Sequence, residues 1–311
     1  METIEITNFS TLNNGENLTQ TAAVGQIENG IEYEILSENK ELEYIDYLNL
    51  TKALEILGEF FDVNTVSVAK SNLLCSVALG CTLENAYEKI LENDPLSITD
   101  STIGFSTEVT TGIAKQLKAM NIKNVVAPKY SKEALNYLLQ FSPINVIQIT
   151  SPLQEILGFN AKDIKVTPFG YLVQDQNLSK LSKSNFKVAG KTKPTQQQAE
   201  DAIFAWKIAK YTKSNSAVVA KDLSTKAIVQ GQTNNIICTE QAMDIACENS
   251  KEAILAIDGV IENEEIINTA IQGRIGLIIE AGNGINSEKI AKLADKYEIS
   301  MIHTGIRNYR Y

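Results

Sequence analysis

Lysine, aspartate and arginine are the residues of this chain best placed to do chemistry, because only one histidine, His303, is present. That scarcity removes most histidine triads, metal triads and proton relays, and leaves acid–base work mainly to Lys, Asp, Glu or Tyr. The tripeptide Lys-Ser-Asn stands at Lys70-Ser71-Asn72 and again at Lys213-Ser214-Asn215, each time among apolar strand-like residues. Its recurrence predicts a duplicated fold with a polar group at matching places. A third copy, Lys183-Ser184-Asn185, lies in a polar stretch with no strand pattern around it.

Asp258 closes the apolar run Ala253-Ile254-Leu255-Ala256-Ile257, and Gly282-Asn283-Gly284 lies between an apolar run and a helix signal. In open α/β sheets, ligands lie beyond the carboxyl ends of strands, so both places are candidate binding positions. The glycine segment reads either as a backbone cradle for phosphate or as a plain turn. Gly15-Glu16-Asn17 reads as a turn. Arg307 and Arg310 offer planar forks suited to phosphate or carboxylate, against the simpler reading of a solvated basic patch.

The elements that must position these residues are short apolar runs alternating with amphipathic segments. One series runs from Leu73–Leu79 through a helix pattern opened by Thr82, then Ser101–Phe105, Val109–Met120, Val125–Pro128, a helix capped by Ser131, and Ile144–Ile147. A second runs from Ser216–Ala220 through a turn at Asp222–Thr225, a helix from Thr239, Ala253–Asp258, Glu262–Ile271, Leu277–Ile279, a helix capped by Ser287, and Ile299–Ile302. The tripeptides lie 143 positions apart (213 against 70) and the two serine caps 156 (287 against 131). Such alternation predicts mostly parallel sheets with right-handed crossovers. Two α/β lobes follow, 1–190 and 191–311, joined through the polar segment Ser179–Gln198.

The chain has 311 residues, of which 44% are hydrophobic and only 7% aromatic, a composition suited to aliphatic α/β cores. Its net charge of -10, without a basic stripe, excludes nucleic acid and anionic membrane as expected partners. No leader or membrane span is readable at Met1–Ile6, so a cytoplasmic location is expected. Cys75, Cys81, Cys238 and Cys247 form no Cys-x-x-Cys pair, and Cys75 and Cys238 read as small core residues.

Taken in order, Gly15-Glu16-Asn17 with Gln20, Asp94-Pro95-Leu96-Ser97, Leu172-Val173-Gln174-Asp175, Phe204-Ala205-Trp206-Lys207, Lys213-Ser214-Asn215, Gly231-Gln232, Asp258 and Thr304-Gly305-Ile306-Arg307 resemble the formyltransferase domain of the AICAR transformylase/IMP cyclohydrolase family. The likeness covers nearly the whole chain. It implies two duplicated cytidine-deaminase-like lobes of three-layer α/β/α form, with mixed, mostly parallel sheets and without zinc, and a homodimer with active sites where subunits meet. The family's cyclohydrolase domain has no counterpart in this sequence, so IMP ring closure is not expected.

The reaction implied is transfer of a formyl group from formyl-tetrahydrofolate, as co-substrate, to the amine of the nucleotide AICAR. By resemblance Lys70 is the catalytic lysine and Asn215 hydrogen-bonds the reacting groups, while Asp258 and Arg307 hold folate and nucleotide; Asp175 is a further matched position. The family's catalytic histidine is replaced by Ser71, whose hydroxyl has no useful basicity near neutral pH without its own base. Asn13-Asn14 precede Gly15 where the family has Arg-Tyr, and Asn235 replaces a substrate-binding arginine. Leu73-Leu74-Cys75-Ser76, Thr99-Asp100-Ser101 and Gly259-Val260-Ile261-Glu262 replace an Asn-Pro-Cys-Gly run, a Phe-Gly-Gly loop and a Phe-rich folate segment. Formyl transfer that is weakened or lost is one expectation; the alternative is a non-catalytic paralogue that binds a small molecule or serves in assembly.

Overall fold

The computed structural model describes residues 6–27, 30–38, 41–93, 95–140, 144–158, 162–181 and 185–311. Asp94 and the Lys183-Ser184 of the third tripeptide lie outside them. The chain divides into two compact units, residues 1–75 with 79–178, and 76–78 with 179–311.

The first unit contains β1 (Ile6–Leu12), β2 (Ala22–Ile27), β3 (Tyr33–Ile35), α1 (Tyr44–Glu59), β4 (Asn64–Lys70), β5 (Leu73–Gly80), α2 (Leu83–Asn93), α3 (Pro95–Ile98), β6 (Thr102–Phe105), β7 (Glu108–Val109), α4 (Thr111–Ala119), β8 (Asn124–Ala127), β9 (Lys129–Tyr130), α5 (Lys132–Gln140), β10 (Asn145–Ile149), β11 (Lys162–Thr167) and β12 (Gly170–Asp175). Its main sheet runs in the order β3, β10, β8, β6, β4, β5. Parallel pairing is confined to β6–β8 and β8–β10, while β4–β6 and β3–β10 are antiparallel.

In the second unit are β13 (Lys187–Val188), α6 (Gln196–Ala209), β14 (Ala217–Lys221), β15 (Ser224–Val229), α7 (Asn235–Ala246), β16 (Ile254–Ile257), α8 (Glu265–Gln272), β17 (Leu277–Glu280), α9 (Ser287–Lys296) and β18 (Ser300–His303). The order is β13, β18, β17, β16, β14, β15, again with only β16–β17 and β17–β18 parallel. Each sheet is therefore mixed, as expected, but it is not mostly parallel, and that part of the expectation is corrected. Tight hairpins such as Lys221–Ser224 can join only antiparallel neighbours, and the turn there is the two residues Asp222-Leu223 rather than the four of Asp222–Thr225.

Burial follows from composition. β16, β17 and β18 are buried along their whole length because helices cover both faces. Ala217, Val219, Leu255, Ile257, Ile278 and Met301 share one core with Cys238, Ala242, Ile266, Ile267, Ile290 and Ala291 of α7, α8 and α9. α6 packs against β14, β16 and β17. In the first unit, α1 supplies Leu50, Ala53, Leu54 and Leu57 to a core with Val126 and Ile147.

Local polar chemistry sets the ends of these elements. Thr82 and Ser131 cap as expected, their hydroxyls accepting the amides of Asn85 and Ala134. Ser287 does not; Asn286 is the cap of α9, and the Ser287 hydroxyl accepts the Gly284 amide at 3.0 Å. Thr195 and Gln198 form a reciprocal capping box on α6.

The two Lys-Ser-Asn tripeptides occupy opposite ends of their strands. Lys70 ends β4, and Ser71 and Asn72, with φ of 55° and 60°, form the turn into β5. Lys213-Ser214-Asn215 instead precedes β14, whose turn into β15 is made by Asp222 and Leu223, with φ of 55° and 54°. The expectation of matching places is thus overturned.

Both turns are anchored by a buried side chain. Asn49 of α1 accepts the Asn72 amide at 2.8 Å, and Asp201 of α6 accepts the Asp222 and Leu223 amides at 3.1 and 2.7 Å. Burial pushes the Asp201 carboxyl up, against those two amides and Gln197. Asp201→Ala is expected to cost about 2 kcal/mol in urea unfolding, since two amides lose their acceptor and a cavity opens. An unchanged midpoint would show that water replaces the carboxylate at no cost.

Candidate functional site

The second unit gathers several of the candidate residues where β16, β17 and β18 end. Asp258 follows β16 and is fully buried, with its Oδ2 accepting the Ser214 hydroxyl at 2.5 Å. Its Oδ1 has no hydrogen-bond partner of ordinary geometry among the described residues. Burial raises the Asp258 carboxyl above the usual carboxylate range, opposed by the Ser214 hydroxyl and by nearby amides of Ser216 and Asp258 itself.

Ser214 is bound twice to Arg310: its amide donates to the Arg310 carbonyl at 2.8 Å, and its hydroxyl accepts the Arg310 amide at 2.9 Å. Asn215 lies next in sequence, joined to Ser214 by a cis peptide. Its side-chain Nδ2 donates to the Gln232 carbonyl at 3.1 Å, and its own carbonyl accepts the Cys238 thiol at 3.1 Å. Burial, and secondarily the Asp258 charge, push that thiol up to about 12, so Cys238 is inert as a nucleophile.

The segment Thr304–Arg310 runs over this edge. The Asn308 amide donates to the Asp258 carbonyl at 2.8 Å, and the Gly305 amide to the Ala281 carbonyl at 2.8 Å. Tyr309 packs on Gly259, where any side chain would collide with the ring. Arg307 is exposed; its Nε donates to Asn283 Oδ1 at 2.8 Å, and its guanidinium lies 6.0 Å from the Tyr309 ring centre. The Gly282-Asn283-Gly284 segment is thus committed to protein contacts: Gly282 lies against His303, Asn283 holds Arg307, and Gly284 bonds Ser287. Asp258, Asn215 and Arg307 belong to one polar edge.

Other candidates fall elsewhere. Asn235 opens α7 behind the cap Asn234, with its buried Oδ1 unpartnered among the described residues. In the first unit, Lys70 Nζ donates to the Thr99 carbonyl at 2.7 Å, while Ser71 is exposed in its turn. Asn13, Asn14 and Gly15 lie in the connection between β1 and β2, where Gly15-Glu16-Asn17 forms a turn as expected, with the Gly15 amide bonded to the Gln20 carbonyl at 2.8 Å. Asp175 ends β12 on an exposed hairpin, paired with Lys162 at 2.6 Å.

Glu280 is not among the residues singled out from the sequence, and His303, on a strand-like run, reads there as a packed or hydrogen-bonded residue rather than a ligand. Glu280 and His303 end β17 and β18 in register, with His303 Nε2 3.2 Å from Glu280 Oε1. The signal was available: Glu280 closes the apolar run Leu277-Ile278-Ile279 as Asp258 closes its own. Among the described residues no three His, Cys, Asp or Glu converge as metal ligands, and no helix is long and apolar enough to cross a membrane.

A family model described as AICARFT/IMPCHase bienzyme matches residues 1–245. The bifunctional purine biosynthesis protein PurH of Caldicellulosiruptor bescii is 35% identical over 272 residues, covering 88% of this chain and 52% of that protein. PurH of Bacillus cereus is 30% identical over 306 residues, covering 96% and 58%, and PurH of Fusobacterium nucleatum 32% over 308 residues, covering 97% and 60%. The chain spans about half the length of the curated relatives it matches. With most of its length matched by that family model, and ordered motifs shared along it, the chain belongs to the AICARFT/IMPCHase bienzyme family of purine biosynthesis.

Proposed function

We propose that this chain is a formyltransferase-type member of its family, transferring formyl from formyl-tetrahydrofolate to AICAR slowly. The observation that carries this reading is the buried Asp258, a carboxylate kept at a strand end with one oxygen lacking a hydrogen-bond partner of ordinary geometry among the described residues, beside Asn215 and the segment bearing Arg307. Such a group costs stability, and strand ends are where α/β sheets bind ligands. In the proposed roles, Asp258 and Arg307 hold folate and nucleotide, Asn215 hydrogen-bonds the reacting groups, and Lys70 stabilises charge as the amine attacks.

In that step the amine nitrogen bonds the formyl carbon, the carbonyl electrons move to oxygen, and collapse breaks the bond to the folate nitrogen. The proton leaving the amine ends on that nitrogen. Ser71 cannot carry it as a histidine would, so the loss is about 10²–10⁴ in rate.

The same reading includes two copies of one cytidine-deaminase-like lobe, divided at 1–190 and 191–311, and a cytoplasmic homodimer. A constant spacing supports the duplication. The turn anchors Asn49 and Asp201 lie 152 positions apart (201 against 49), as do the strand-end residues Ser106 and Asp258 (258 against 106). Exposed apolar side chains on the β1–β2 and β11–β12 hairpins support the dimer: Phe9 is 66% and Phe169 100% exposed. Two-stranded hairpins of this kind are marginal alone in water.

Ser71, Asn13 and Asn14 favour a second reading, a non-catalytic paralogue that binds a small molecule or serves in assembly. Product analysis after mixing AICAR, formyl-tetrahydrofolate and high enzyme separates the two. Slow formyl-AICAR formation is expected. No turnover with thermal stabilisation by either compound favours the paralogue as a binder; neither effect overturns the formyl-transfer reading and leaves assembly.

A further inference from the structure

The two units build the starts of their parallel strands alike. In the first, the Lys123 and Asn124 amides donate to the Ser101 carbonyl at 3.0 and 3.1 Å, the Asn145 amide to the Lys123 carbonyl at 2.8 Å, and the Asp100 amide to the Asn121 carbonyl at 2.9 Å. In the second, the Gly276 and Leu277 amides donate to the Ala253 carbonyl at 3.0 and 3.4 Å, the Ser300 amide to the Gly276 carbonyl at 3.1 Å, and the Glu252 amide to the Arg274 carbonyl at 2.9 Å. Asp100, Asn121, Glu252 and Arg274 all have φ between 51° and 59°. Gly276 therefore holds the place of Lys123, and Glu252 that of Asp100.

What closes this edge differs. In the first unit Lys123 reaches across it, with Nζ 2.6 Å from Glu43 Oε2 and 3.0 Å from the fully buried carboxylate of Asp46. Asp46 also accepts the Glu43 amide, as Gln198 accepts the Thr195 amide in the second unit, and each residue lies 152 positions from its counterpart (198 against 46, 195 against 43). The second unit thus has a glycine for the lysine, and neutral Thr195 and Gln198 for its two acids. It keeps an open cavity of about 400 Å³ at this edge, within the usual size of a small-molecule site. Gln198 Nε2 and Glu252 Oε2 lie 2.7 and 3.2 Å from the point where a Cβ on Gly276 would stand.

The charges on the wall decide what the cavity accepts. They belong to Lys193, Glu252, Arg274 and Glu298. Arg274 is engaged by Glu248 at 2.6 Å. Among the described residues, no ion pair or hydrogen bond engages the side chains of Lys193, Glu252 or Glu298. Two carboxylates therefore stand against one ammonium, an imbalance that favours a cation. Ile271 and the Tyr297 ring add apolar wall for a short aliphatic stem.

We propose that this cavity binds a small aliphatic primary amine, its ammonium bonded to Glu252 and its stem lying along Ile271 and the Tyr297 ring. The ligand supplies from solution what Lys123 supplies to the first unit from the chain. A charge-assisted hydrogen bond fixes the ammonium, and burial of the methylenes adds the rest of the affinity. The site lies at the opposite ends of β16, β17 and β18 from Asp258, and it does not depend on formyl transfer.

Butylamine, which is the lysine side chain cut at Cα, is the probe. Titrated into the full chain and followed by the amide resonances of Gly276 and Ser300, it is expected to saturate with a Kd on the order of 1 mM. γ-Aminobutyrate carries the same ammonium and should also saturate, more tightly where its carboxylate reaches Lys193. Butanol, with the stem and no charge, should not. Glu252→Gln is expected to weaken butylamine binding about threefold or more. Gly276→Lys, which brings a tethered ammonium, should abolish it. Should that variant fail to fold, Glu252→Gln combined with Glu298→Gln, both at exposed positions, is expected to leave no saturable binding. Absence of saturation by either amine, an equal response to butanol, or unchanged binding in Glu252→Gln overturns the proposal.

Discussion

Ser71→His combined with Asn13→Arg is expected to raise formyl-AICAR formation by about 10²-fold or more over the unaltered chain, because a positioned general base contributes about 10²–10⁴. The turn admits the change. Ser71 is exposed with φ of 55°, a conformation that histidine adopts more readily than most side chains, and Asn13 is exposed beside the β1–β2 turn. Stability should therefore move by no more than about 0.5 kcal/mol, as for other surface substitutions. Lys70 Nζ donates to the Thr99 carbonyl at 2.7 Å, a contact that neither substitution removes. A gain in turnover would mean that catalysis was lost by substitution at a frame still competent to bind. No gain, with the double variant folded and binding AICAR, would show that the site has been rebuilt around other chemistry, and would favour the non-catalytic reading.

The strand–helix alternation was legible because nearly every core strand is a short apolar run, and periodicity reports burial directly. Pairing direction was not. Whether two apolar runs lie parallel depends on the length of the turn between them, and the turn at Asp222-Leu223 is set by a carboxylate, Asp201, twenty-odd positions upstream. The repeated Lys-Ser-Asn misled for a related reason. Identical letters suggest identical places, whereas what the two hairpin turns have in common is a buried anchor beneath each, Asn49 in one unit and Asp201 in the other. Asp258 could be read as a candidate from its position at the end of an apolar run. The hydrogen bonds that hold Ser214 to Arg310, and Glu280 to Ile261, join residues 96 and 19 positions apart, and no local pattern encodes them.

Asp258→Asn is expected to stabilise the protein by about 1 kcal/mol near pH 8 while abolishing stabilisation by AICAR or folate, the trade expected where a site keeps a costly group. The sign follows from linkage. Folding raises the carboxyl above its ordinary 3.8, so the native state holds the proton more tightly than the unfolded chain. That contribution is fully present below the unfolded value and is lost as pH rises through the raised native value, giving a stability that declines with pH. Asparagine keeps an acceptor for the Ser214 hydroxyl, carries no charge to desolvate, and removes the slope. Urea unfolding from pH 4 to 8 measures it: the curves of the two proteins should diverge as pH rises, the variant lying above. A variant that is less stable at pH 8, with the same slope as the unaltered chain, would mean that Asp258 is a structural member of the strand end. The case for a ligand there would then fall with it, since the cost of burying that carboxylate is the observation on which the site rests.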